Sequence, residues 1–133
     1  MSAIEKKMIL KEPLARVKGH GSAKEGVMHW IAQRLTSIAL IPLMIWFVIS
    51  LLMRLHENYH GFVAWIASPL TSVLLTLFLV TLFYHMWLGL KVVIEDYVST
   101  PMKRYTTLIF LKFSLFFLAT LSIFAILKIA LGA

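Results

Sequence analysis

The sequence has 133 residues and no cysteine. That excludes disulfides, zinc–thiolate sites and iron–sulfur ligation by this chain. Charge is also scarce, at 14% of residues, where soluble domains carry roughly a quarter. Acidic residues are the rarest, six against thirteen Lys and Arg, which leaves a net charge of +7. Hydrophobic residues make up 60%, well above the roughly 45–50% of soluble domains. A soluble domain of this length could not hide that much apolar surface. The composition therefore excludes an ordinary soluble enzyme and a disordered chain. The basic excess sits mostly in one segment, so it speaks for membrane topology rather than for nucleic acid.

The apolar residues fall into three runs. Each crossing of a bilayer takes about 20 residues, so three crossings leave no room for a soluble catalytic domain. Residues 1–28 form a basic N-terminal segment, with Lys6, Lys7, Lys11, Arg16, Lys18 and Lys24 against Glu5, Glu12 and Glu25. No apolar run with a small-residue cleavage site follows these lysines closely, so the segment does not read as a signal peptide. Gly19, Gly21 and Gly26 predict a flexible approach to the membrane. Residues 29–133 form the membrane domain, with spans over about 30–53, 70–98 and 106–128. Pro42 lies inside the first span, where a proline implies a kink or carbonyl rescue rather than a stop. The stretch FVAWIA, with Trp65 as anchor, reads as interfacial, and Ser68-Pro69 as a helix start. Met102 to Tyr105 reads as the second loop, and Lys112 and Lys128 as snorkelling residues.

Orientation follows the basic residues. The N-terminal segment carries six, the second loop Lys103 and Arg104, and the first loop only Arg54. The expected fold is an all-α integral membrane protein of three transmembrane helices in a heteromeric bundle. Its N-terminus is cytoplasmic and its C-terminus periplasmic.

Few side chains in this bundle can carry chemistry. His85 is the only histidine inside an expected span, and it falls near the bilayer midplane. An ionisable residue there is costly and raises a functional hypothesis by default. A neutral imidazole at that depth suits an axial haem ligand or a proton relay. The alternative is a histidine hydrogen-bonded to a neighbouring helix. Gly89, four residues on, shares its face and would let a flat macrocycle approach, or a second helix pack closely. Asp96 lies 11 residues after His85, on the same face and roughly 16 Å further along the axis. With Tyr97 it sits at the cytoplasmic rim, where a phenol can donate to a carbonyl and a carboxylate can supply protons. The alternative there is an aromatic-belt residue beside a solvated acid. Arg34, near His29 and Gln33, could hold a carboxylate such as a haem propionate, or snorkel to lipid phosphate. His56 and His60 read as solvated residues of the first loop, as does His20 in its own segment. One intramembrane histidine cannot supply both axial ligands of a six-coordinate haem, so a two-histidine haem requires a second chain.

The segment YHMWLGLKVVIEDYV, Tyr84 to Val98, resembles the second helix of the D-type hydrophobic anchor subunits of succinate dehydrogenase, respiratory complex II. Those subunits carry a histidine, a glycine four residues on, and an Asp-Tyr pair eleven and twelve residues after the histidine. Here these are His85, Gly89, Asp96 and Tyr97. GSAKEGVMHWIAQRLTSIAL is similar to the start of their first helix, with Arg34 one turn inside. The sequence departs in placing His29 before Trp30, where some relatives carry an acid, so no proton-delivery role transfers to that position. The resemblance implies that His85 is an axial iron ligand of haem b, shared with a histidine of a C-type cytochrome b anchor subunit. It implies that Tyr97 hydrogen-bonds ubiquinone with support from Asp96, and that Arg34 lies near the propionates or the quinone pocket. FAD and iron–sulfur clusters would belong to the flavoprotein and iron–sulfur partner subunits, and the bacterial inner membrane would be the location. The anchor of a fumarate reductase and a haem-free scaffold or assembly protein are the competing readings. A transporter subunit ranks below them, because His85 stands nearly alone at the membrane centre.

Overall fold

A computed structural model describes residue 2 and residues 21–132. Lys6, Lys7, Lys11, Arg16, Lys18 and His20 lie outside the described residues. The described chain is helical, with α1 over Gly21–Leu52, α2 over Tyr59–Ala67, α3 over Pro69–Tyr97 and α4 over Pro101–Ala130. Three of them are long and apolar enough to cross a membrane, over Glu25–Leu52, Pro69–Tyr97 and Pro101–Ala130. The three expected spans are therefore all present. At 29 to 32 residues, each long helix runs about 44–48 Å, beyond the ~30 Å hydrocarbon core.

Two boundaries differ from the sequence reading. The glycine-containing approach to the first span is helical from Gly21 onward. A glycine costs about 1 kcal/mol relative to alanine in a helix, and Ala23, Val27 and Met28 continue a helix that the long apolar run already sustains. The second loop is also shorter than expected, because Met102 to Tyr105 form the first turn of α4. Pro101 takes the first helical position, where its missing N–H costs nothing, and Val98 to Thr100 make the whole connection.

Inside a bilayer the backbone must satisfy itself, and the hydroxyls follow the same rule. Thr76 donates to the Ser72 carbonyl at 2.8 Å, Thr120 to Phe116 at 2.8 Å and Ser122 to Leu118 at 2.8 Å. Pro42 sits within α1, which continues through it to Leu52.

Contacts divide the chain into a unit ending at Arg34 and a unit from Leu35 to Ala133. In the first, the described residues are the opening turns of α1, where the Arg34 guanidinium lies 5.1 Å from the centroid of the Trp30 ring. In the second, α3 and α4 lie against each other and α2 packs on both. The Asn58 side chain accepts from the Gly61 N–H at 2.9 Å and starts α2. Ser68 ends α2 and precedes α3 with no intervening loop. The Ser72 hydroxyl donates back to the Ile66 carbonyl at 2.6 Å and fixes this corner. Trp65 packs 6.3 Å from Trp46 of α1 and receives the Arg54 guanidinium 4.8 Å from its centroid.

The core is small. Leu40, Leu75, Phe78, Leu88, Leu115 and Ile126 are its buried apolar side chains among the described residues. Phe110, Phe113, Phe116 and Phe117 are all exposed. In water that face would be untenable. Against lipid tails it costs nothing, so helix association rests on close packing and a few hydrogen bonds.

Candidate functional site

His85 is residue 17 of the 29 in α3, close to the middle of the span. Helix α1 passes beside it and presents Thr36, at residue 16 of 32. The Thr36 hydroxyl oxygen lies 2.9 Å from His85 Nδ1. This bond joins residues 49 apart in the chain, whereas Thr76, Thr120 and Ser122 bond back within their own helices. Among the described residues His85 Nε2 has no hydrogen-bond partner. One ring nitrogen is therefore held by the protein and the other is left with its chemistry open.

His85 also lines a groove of about 410 Å³ with Ser37, Leu40, Ile41, Met44 and Ile45 of α1. Ser37, Ile41 and Met44 recur at helical spacing and so form one face. Apart from Ser37 the α1 wall is apolar, and His85 is the ionisable side chain among the described lining residues. Gly89 follows one turn along α3 and is half-buried. Gly89 is the neighbour that the sequence itself singles out as a flat seat beside His85. Thr36 and the α1 wall leave no signal in the sequence beyond a Thr-Ser pair two and three residues after Arg34.

Asp96 and Tyr97 close α3, both exposed, Tyr97 at 84%. At that exposure Tyr97 sits in no enclosed site among the described residues. The neighbouring carboxylate, Glu95, is paired with Lys91 at 3.9 Å; no such pair engages Asp96 among the described residues. His85 and the Asp96–Tyr97 pair remain apart along α3, as helix arithmetic requires, and form two sites. Arg34 is exposed and stacked on Trp30. Lys112, read as a snorkelling residue, has its Nζ 6.0 Å from the centroid of the Trp87 ring, in a cleft of about 320 Å³ between α3 and α4.

No three His, Asp or Glu side chains converge among the described residues. Among the described residues a metal would meet one or two such side chains at most, and a haem iron needs only one from this chain. The donor set fits a haem in that sense: an intramembrane imidazole, one nitrogen held by a hydroxyl, beside an apolar wall.

The sequence matches the family described as the succinate dehydrogenase/fumarate reductase transmembrane subunit over residues 8–124. It is 33% identical over 117 residues to the succinate dehydrogenase hydrophobic membrane anchor subunit of Rickettsia conorii, covering 87% of this chain and 91% of that one. It is 33% identical over 99 residues to the same subunit of Rickettsia bellii, covering 74% and 79%. The subunit of that name from Paracoccus denitrificans is 24% identical over 121 residues, covering 91% and 93%. Three apolar helices and a match along most of the chain agree, and the chain belongs to the family of succinate dehydrogenase/fumarate reductase transmembrane subunits.

Proposed function

We propose that this chain anchors a succinate:ubiquinone oxidoreductase in the bacterial inner membrane, N-terminus cytoplasmic. In this reading it helps to bind haem b and to form the ubiquinone-reduction site. The observation that carries the proposal is His85: mid-span, Nδ1 held at 2.9 Å by Thr36, and set on an apolar groove. His85 would hold the haem iron from this chain, together with a histidine of a C-type cytochrome b anchor subunit. Arg34 offers a guanidinium to a haem carboxylate. When bound, the haem supplies a one-electron redox centre within the membrane.

Succinate oxidation belongs to a flavoprotein partner, and electrons reach the membrane through an iron–sulfur partner. At the cytoplasmic rim, the Tyr97 phenol donates a hydrogen bond to a quinone carbonyl and Asp96 delivers or relays protons. An apolar quinone arrives laterally from lipid, and protons arrive from the aqueous side. The exposed Asp96–Tyr97 pair stands where these two supplies meet. Its exposure in the single chain agrees with a pocket completed by partner subunits.

The test is a dithionite-reduced minus oxidised spectrum of the purified complex, wild type against His85→Ala. Loss or alteration of a b-type signal supports His85 as ligand. A wild-type complex without haem removes the ligand assignment and favours a haem-free anchor. The family spans both directions of the reaction, so an anchor of a fumarate reductase is the second reading. Quinone type and the ratio of succinate oxidation to fumarate reduction distinguish the two.

A further inference from the structure

We propose that Thr36 is a positioning residue for His85: its hydroxyl holds the ring through Nδ1 and, with Nε2 on iron, accepts the Nδ1–H. The proposal rests on the reading of His85 as a haem ligand. The two atoms lie 2.9 Å apart and come from different transmembrane helices. A neutral imidazole carries one N–H and one acceptor nitrogen, and a hydroxyl can serve either, so iron on Nε2 puts the N–H on Nδ1 and Thr36 becomes its acceptor. In water the N–H would find solvent. At mid-span it has only protein, and Thr36 is the hydrogen-bond partner of His85 among the described residues.

The nature of that acceptor matters as well as its presence. Metal-bound histidines commonly donate their second N–H to a carboxylate, a carbonyl or water, and this outer partner orients the ring and raises ligand basicity. A hydroxyl is uncharged. It fixes the ring without pulling the proton away, so the ligand stays a neutral imidazole rather than gaining imidazolate character. An anionic acceptor in the same place would stabilise the ferric state and lower the midpoint potential. The threonine also sits on the helix that walls the groove, one residue before Ser37. Orientation of the imidazole and of the apolar wall are thereby set by one helix.

The experiment compares the intact complex carrying Thr36→Val and Thr36→Ser with wild type, and uses His85→Ala as reference. Val keeps the branched shape without the hydroxyl, and Ser keeps the hydroxyl. Three readouts independent of turnover apply: the rate of haem transfer to excess apomyoglobin, the low-spin ferric electron paramagnetic resonance signal, and the midpoint potential. Thr36→Val is expected to speed haem loss by about 10-fold, the low end of the affinity lost when such an outer partner is removed. It should also shift the largest g value, which follows the axial ring planes, and Thr36→Ser should restore both. If Thr36→Val fails to assemble with its partners, Thr36→Ala in detergent-solubilised complex provides the same comparison. Wild-type haem retention, resonance and potential in the hydroxyl-free complex would overturn the role of Thr36 while leaving His85 as ligand. A b-type signal unchanged in His85→Ala would overturn the ligand reading itself, and the role of Thr36 with it.

Discussion

The Phe47 ring stacks on the Phe78 ring with centroids 4.9 Å apart and planes at 22°, tying α1 to α3 along the seam that holds Thr36 and His85. Phe78 is 4% exposed. It lies seven residues before His85, two turns along the same helix. Because lipid is as apolar as a side-chain core, the pair contributes through packing rather than through transfer from water. Phe78→Ala is expected to remove about 1 kcal/mol from the ring pair, with a further cost for the cavity it leaves. A lowered temperature of haem loss in isolated membranes, with the spectrum intact at low temperature, is the expected result.

Tyr97→Phe removes one hydroxyl from an exposed position and leaves the helix undisturbed. Losing a hydrogen bond to a quinone carbonyl should cost about 1 kcal/mol, roughly a fivefold change. The expected effect is a lowered kcat/KM for a short-chain ubiquinone. Succinate oxidation with a soluble dye should be unaffected, since the proposed function assigns that chemistry to a partner subunit. Equal quinone kinetics in the two proteins would remove Tyr97 from the site.

Asp96 and Glu95 are adjacent in sequence but differ in setting. Glu95 is paired with Lys91 along the helix. Asp96 is exposed and one step round. If Asp96 supplies protons, Asp96→Asn should slow quinone reduction by about 100-fold, whereas Glu95→Gln should leave it near the wild-type rate. Equal rates in both variants would assign proton supply to another chain.

The absence of cysteine makes topology directly testable. Single cysteines at His56, in the exposed first loop, and at Met102, 79% exposed at the start of α4, give two reporters on a thiol-free subunit. In intact spheroplasts a membrane-impermeant maleimide should label His56→Cys and spare Met102→Cys until the membrane is permeabilised. The reverse pattern would invert the orientation expected from the basic residues.

Much of this architecture is legible in the sequence because lipid imposes simple demands. A bilayer needs about 20 apolar residues per crossing and internally bonded backbone, and three runs in 133 residues meet both. The rigid 3.6-residue period then places His85, Gly89 and Asp96 on one face of α3 without any tertiary information. Ser68-Pro69 likewise marks the start of α3 within a residue.

What the sequence could not reveal is which residue meets His85. The first span offers Thr36, Ser37 and Ser50, and in a soluble helix the apolar stripe would say which faces inward. Here the surroundings are as apolar as the interior, so inward and outward faces carry the same composition. The rotation and register of α1 against α3 are set by close packing, Phe47 on Phe78 and Trp46 against Trp65, and by the few polar groups that must find partners. Composition determined that there are three spans with a histidine in the second. Only the tertiary fit decided that a threonine hydroxyl, and not another side chain, holds its Nδ1, because short-range contact geometry leaves no periodic trace in a chain surrounded by lipid.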